Sequence, residues 1–312
     1  MQQEARLLLE QLESVISGKT EVITRLLTAF LAQGHILLDD SPGVGKTTLA
    51  SAIGRATGLT CRRVQFTPDV LPSDLVGFSV YDRESGSLRY QPGALLGANL
   101  LLGDELNRAP SRVQSALLQA MEENAVTVDG VTRPLADPFM VIATQNSLGT
   151  VGTQPLPYAQ LDRFTVRLTI GYPDHAAQLA LLKARQGREP LDNVSRVLTA
   201  EQVRAMQRSV AEVRSGDSVL DYIARLAVAS RELPALEAGI SPRGALALDR
   251  MAKAHAWLDE RDYVTGLDVQ AVWADVCLHR VVLSDRARRD GQTAGDVLTA
   301  LLRQVPTCDR RP

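Results

Sequence analysis

Apolar positions recur every three or four residues at the start of the chain. Leu8, Leu12 and Val15 fall on one face of residues 2–16. Val22, Leu26, Leu27 and Phe30 do the same in residues 20–33. Both spacings predict amphipathic helices. The period then changes. Short apolar runs at 35–38, 62–65, 99–102, 139–143 and 166–170 predict strands, with helical stretches between them. Such alternation predicts an α/β fold with a mostly parallel sheet covered by helices.

Two excursions interrupt the scheme. Residues 77–81 and 87–91 alternate around a polar turn at 82–86, which predicts a hairpin. Residues 125–128 and 131–134 flank Asp129-Gly130, a pair suited to a tight two-residue turn. After Tyr172-Pro173 the strand pattern fades. Helical patterns at 174–185, 200–214, 218–232, 242–258 and 267–280 dominate. The expected organisation is an α/β core over 1–187 and an all-helical domain over 188–312, joined through a Gly-, Pro- and charge-bearing stretch at 187–193.

Composition narrows the function classes. The 312 residues carry 45% hydrophobic positions and a formal net charge of −2. That balance suits a globular chain and offers no general attraction for nucleic acid or an anionic membrane. No stretch approaches the ~20 apolar residues that a membrane span needs. Cys61, Cys277 and Cys308 lack metal-ligand spacing and read as thiols of a reducing compartment. The expectation is a cytoplasmic protein.

The candidate chemistry starts at residues 40–48, Asp-Ser-Pro-Gly-Val-Gly-Lys-Thr-Thr, between an apolar strand and an apolar helix. A glycine-rich turn there exposes backbone N–H groups at a helix N-terminus, where the helix dipole favours a polyphosphate. Gly43, Val44, Gly45 and Thr48 belong to this cradle. Lys46 would reach the outer phosphates, and the Thr47 hydroxyl would join an Mg²⁺ shell. The first motif position, usually glycine, is Asp40. Its carboxylate must point away from the phosphates or cap a neighbouring amide. The strand at 99–102 leads into Asp104, placed to hold Mg²⁺, and Glu105, placed to polarise water as a base. Asn146 ends another strand and could orient that water, since ligands of open parallel sheets bind at the carboxyl ends of strands. Arg163 and Arg243 are candidate phosphate-seeking arginines. Alternatively, each is a surface arginine. His35, at a strand start, reads as structural.

These motifs occur with Gly103 through Ala109, Leu156-Pro157, residues 159–164 and Ser241-Pro242-Arg243 in an order that resembles the MoxR family of AAA+ ATPases. The resemblance covers about 18–280. It implies a five-stranded αβα P-loop core with a C-terminal helical lid, ATP and Mg²⁺ as ligands, and a homo-oligomeric ring, usually hexameric. It implies that Lys46 and Thr47 are Walker A residues, Asp104 and Glu105 Walker B, Asn146 sensor 1, Arg163 an arginine finger and Arg243 sensor 2. Residues 15–18, including Ser17 and Gly18, would lie against adenine. The hairpin at 77–91 resembles the helix-2 insert of this branch, with Arg83 and Glu84 at a polar tip. MoxR-like proteins often act as chaperones with a von Willebrand factor A domain partner. The competing readings are a DNA-acting AAA+ motor, which the charge balance disfavours, and a nucleotide-gated scaffold, which the Asp104-Glu105 pair disfavours.

Overall fold

The computed structural model describes residues 2–16, 18–41, 43–146, 156–184 and 190–308. It begins with helices α1 (Gln2–Val15) and α2 (Thr20–Leu31). There follow strand β1 (Ile36–Asp39), helix α3 (Lys46–Thr57), strand β2 (Cys61–Gln65) and a short α4 (Pro72–Val76). Next come the hairpin β3 (Phe78–Asp82) and β4 (Ser87–Gln91), strand β5 (Leu100–Asp104) and helix α5 (Ser111–Glu123). A second hairpin, β6 (Ala125–Val128) and β7 (Val131–Pro134), precedes β8 (Met140–Gln145), α6 (Tyr158–Leu161), β9 (Val166–Leu168) and α7 (His175–Ala184). The remainder is mainly helical: α8 (Ala200–Ala211), α9 (Asp217–Glu232), α10 (Pro242–Leu258), α11 (Gly266–Cys277), α12 (Asp285–Arg289) and α13 (Ala294–Gln304). Two very short strands, β10 (Leu236–Ala238) and β11 (Val282–Leu283), pair within it.

Five strands form one sheet in the order β2-β5-β8-β1-β9, and every pairing is parallel. The inner strands β1, β5 and β8 are buried almost throughout. Their side chains alternate between two layers, as pleating requires. Ile36, Leu38, Leu100, Leu102 and Ile142 face a cluster containing α1, α2 and α3. Leu37, Leu101, Val141 and Ala143 face a second cluster built on α5. The first cluster continues into the helical region through Val203, Leu226, Ile240, Leu248 and Trp257. β2 is the exposed edge, which explains why a strand can carry Arg62 and Arg63.

Both hairpins expected from the sequence form. Asp129 and Gly130 take φ values of 53° and 74°, the two positive angles that a type I′ turn requires. The 83–86 tip of the first hairpin is polar, but just behind it Tyr81 pairs across the strands with Leu88 and both are exposed. An aromatic residue therefore does stand next to the tip. β9 ends at Leu168, earlier than the expected 170. There the Ile170 amide donates to the Asp40 carboxylate, so the ladder gives way to a side-chain cap. The division expected at 187/188 falls at residues 185–189, outside those described.

Candidate nucleotide site

The turn after β1 has the backbone that a phosphate cradle needs. Gly43 and Gly45 have φ values of 83° and 95°, a region favouring glycine. Gly45 is the N-cap of α3, so the loop's N–H groups stand at the positive end of a helix. A Cβ at Gly43 would meet nothing within 4 Å, whereas one at Gly45 would come within 3.1 Å of Ile16. The first glycine therefore leaves the loop open, and the second lets it close against the end of α1. Pro42 lies outside the described residues.

Asp40 caps. Its Oδ1 accepts from Ser41 N at 2.8 Å, and its Oδ2 accepts from Ile170 N at 2.7 Å and Gly171 N at 2.6 Å. The carboxylate thus turns away from the cradle and pins the P-loop to the segment after β9. That segment then forms a wall of a cavity of about 290 Å³ beside the P-loop. Val15, Ile16, Val44, Ile170 and Tyr172 contribute to its lining. Gly18 is not among the lining residues. Its α-carbon instead lets α7 approach, since a Cβ there would sit 3.0 Å from the Ala177 Cβ. Ser17 lies outside the described residues.

Lys46 is buried, and its Nζ donates to Asp40 O at 2.6 Å, Gln145 O at 3.2 Å and Asn146 Oδ1 at 3.0 Å. Burial lowers its pKa, while Asp40, Asp39, Asp104 and Glu105 oppose that shift. Thr47 Oγ1 lies 3.3 Å from both Asp104 carboxylate oxygens. Oxygen donors from two elements suit a hard divalent cation such as Mg²⁺. Glu105 follows with φ 58°, a left-handed conformation uncommon outside glycine. Its N–H donates to Thr144 Oγ1 at 3.0 Å, its Oε1 accepts from Asn146 Nδ2 at 3.3 Å, and its Oε2 accepts from Arg108 Nη1 at 2.8 Å. Lys46, Thr47, Asp104, Glu105 and Asn146 are therefore linked at the carboxyl ends of β1, β5 and β8, beside the Gly43–Thr48 loop.

Three side chains in this cluster were given no role by the sequence reading. Arg63 Nε donates to Asp104 Oδ2 at 2.7 Å. Arg108 is three residues from Glu105, on a single 3₁₀ turn. Thr144 couples Asp104 to Glu105, accepting from the Glu105 amide and donating to Asp104 Oδ1 at 3.4 Å. Arg108 could have been found from its spacing. Arg63 could not, because only the register of β2 on β5 brings it to Asp104.

Arg163 and Arg243 lie elsewhere. Arg163 precedes β9, and Thr165 N donates to His35 O just before β1. This is the amino-terminal edge of the sheet, one four-residue strand away from the P-loop, or about 13 Å along β1. Arg243 sits in the first turn of α10, and both arginines pair with Glu122. Asp162 fixes this arrangement. Its carboxylate accepts from Ser241 Oγ at 2.9 Å and from Arg280 Nε at 2.9 Å. Arg280 is fully buried and also donates to Thr165 O at 2.9 Å and to Phe164 O. His35 is structural, as expected. Its Nδ1 accepts from Val141 N, and its Nε2 faces Met121 O at 3.1 Å.

Residues 35–166 match the family described as "ATPase family associated with various cellular activities (AAA)", and residues 228–301 match "AAA lid domain". "Chaperone MoxR1" of Mycobacterium tuberculosis is 35% identical over 95% of this chain and 80% of its own. The chain belongs to the MoxR family of AAA+ ATPases. "Uncharacterized protein YeaC" of Bacillus subtilis is 42% identical, over 95% of this chain and 92% of that one. A crystal structure from Cytophaga hutchinsonii superposes with a TM-score of 0.89 at 33% identity, covering 98% of this chain and 95% of that one. The AAA+ fold expected from the sequence, a parallel five-stranded core with a helical lid, is the one observed. In this MoxR-family chain no described helix is long and apolar enough to cross a membrane.

Proposed function

We propose that this protein hydrolyses ATP in sites shared between copies of itself, and uses the cycle for chaperone-like remodelling of a partner protein. The observation that carries this reading is the split constellation. Lys46, Thr47, Asp104, Glu105 and Asn146 gather at one end of the sheet, whereas Arg163 and Arg243 gather at the other. One chain cannot bring its own arginines to its own P-loop across β1. A second copy can, so a closed homo-oligomer, hexameric as in the family resemblance, supplies what each chain lacks.

The residue roles follow from chemistry. The Gly43–Thr48 backbone and Lys46 bind the phosphates, and the cavity beside α1 and Tyr172 takes the nucleoside. Thr47 and Asp104 would hold Mg²⁺, which when bound neutralises phosphate charge. Glu105 accepts a proton from the attacking water, and Asn146 orients Glu105 while linking it to Lys46. Arg163 and Arg243 from the neighbouring copy offset charge that develops on the terminal phosphate. A von Willebrand factor A domain protein is the proposed partner, and the cytoplasm the proposed compartment.

Phosphate release from ATP tests the reading. Glu105→Gln keeps a side chain of the same shape without the base. It should bind ATP like the parent and turn over at least about 100-fold more slowly. Hydrolysis by Glu105→Gln at the parent rate would remove the base assignment.

A further inference from the structure

Glu122 was singled out by no motif, yet it touches both arginines. Its Oε2 lies 3.3 Å from Arg163 Nε, and its Oε1 accepts from Arg243 Nη2. One arginine comes from the loop before β9 and the other from α10, so a single carboxylate joins the core to the lid at their charged tips. The backbones are already drawn together by Asp162, which precedes Arg163 and binds Ser241, the N-cap of α10. Two guanidinium groups brought this close repel each other unless an anion lies between them. Glu122 has a firm base for that task, because the carbonyl of the preceding Met121 bonds to half-buried His35.

We propose that Glu122 is a positioning residue that aligns Arg163 and Arg243 as a pair for the terminal phosphate of a neighbouring copy's nucleotide. The proposal rests on the shared-site reading above. Each guanidinium carries five N–H donors, so one nitrogen engaged by Glu122 leaves others to meet an anion. The pairs are partly exposed, with side-chain exposures of 43% for Glu122, 31% for Arg163 and 39% for Arg243. Exposed ion pairs of this kind add little to folding stability. Their consequence should therefore appear in turnover.

The test uses Glu122→Gln in the assembled protein. It should bind a fluorescent ATP analogue within about twofold of the parent, with KM little changed and kcat at least about tenfold lower. Glu122→Asp, which restores the charge on a shorter arm, should fall between the two. Mixing Glu122→Gln with Glu105→Gln supplies the decisive readout. The first variant keeps an intact P-loop face and the second keeps an aligned arginine pair, so mixed assemblies should regain turnover. Turnover by Glu122→Gln at the parent rate would overturn the proposal. So would failure to regain turnover in assemblies shown to exchange subunits. The parent rate, measured alongside, tests the ATPase reading separately.

Discussion

Lys46 Nζ lies 3.0 Å from Asn146 Oδ1, and the Asn146 amide nitrogen lies 3.3 Å from Glu105. Asn146 therefore connects the phosphate-seeking lysine to the proposed base through one side chain. Lys46 opens α3 after the loop that leaves β1, and Glu105 follows β5; those two strands are not neighbours. β8 lies between them and supplies Asn146 at its end. The sheet order itself makes the connection possible.

Asp40 occupies a position where the P-loop pattern usually has glycine, and here the aspartate is structural. Asp40→Gly should remove the acceptor for the amides of Ser41, Ile170 and Gly171. Leaving buried donors unpaired is costly, and the loss should be about 2–4 kcal/mol in urea unfolding. Nucleotide affinity should fall as well, because the wall beside Tyr172 is no longer pinned to the loop. A glycine variant as stable as the parent would show that the cap is dispensable.

Half-buried His35 makes a pH-dependent contribution. Burial lowers its pKa from 6.5 to about 4, Arg250 adds to the shift, and the bond to Met121 opposes it. Because Nδ1 accepts from Val141 N–H, the proton of the neutral ring sits on Nε2. Between these pH values the unfolded chain binds more protons than the folded one. The neutral ring's contribution to stability is thus complete above pH 6.5 and lost as pH falls towards 4, amounting to about 3 kcal/mol. ¹⁵N NMR near pH 5.5 should show a neutral His35 ring protonated at Nε2. A doubly protonated ring in the folded protein would contradict this account.

Arg280 locks the arginine-bearing loop to the lid through Asp162, Phe164 and Thr165. Arg280→Met fills similar space but leaves the Asp162 carboxylate without its guanidinium. Removing one partner of a buried ion pair costs about 3–5 kcal/mol. Urea unfolding should register that loss. ATP turnover should fall further than the loss of folded protein explains, because the Arg163 segment loses its anchor. Unchanged stability would show that Arg280 is not the lock.

The sequence revealed the strand–turn–helix around Lys46 because a glycine pattern and an apolar run are local. It revealed all five sheet strands, the type I′ turn at Asp129-Gly130 and most of the lid helices for the same reason. Four helices went unremarked: α4 and α12, of five residues each, and two longer ones whose signals were present. α5 has Val113, Leu117 and Met121 at helical spacing, and α13 has the Thr293–Asp296 capping box. β10 and β11 span three and two residues, too few for alternation to be visible. Arg63 and Glu122 were out of reach for a different reason. Each acquires its partner only through tertiary structure, one by strand register and the other by the meeting of α5 with the 162–163 loop and α10. The Asp40 cap was foreseen as one of two options, and the amides of Ile170 and Gly171 decide it.

The central claim is that the site is completed by a second copy, and subunit mixing tests it most directly. Lys46→Ala should lose nucleotide binding but still offer Arg163. Arg163→Ala should bind nucleotide but offer no arginine, with kcat lower by about 10³-fold or more. Each alone should be nearly inactive in phosphate release. Mixed in one assembly, they should recover part of the parent rate, at interfaces where an intact P-loop meets an intact Arg163. No recovery at any ratio, in assemblies shown by mass spectrometry to contain both variants, would contradict the shared site.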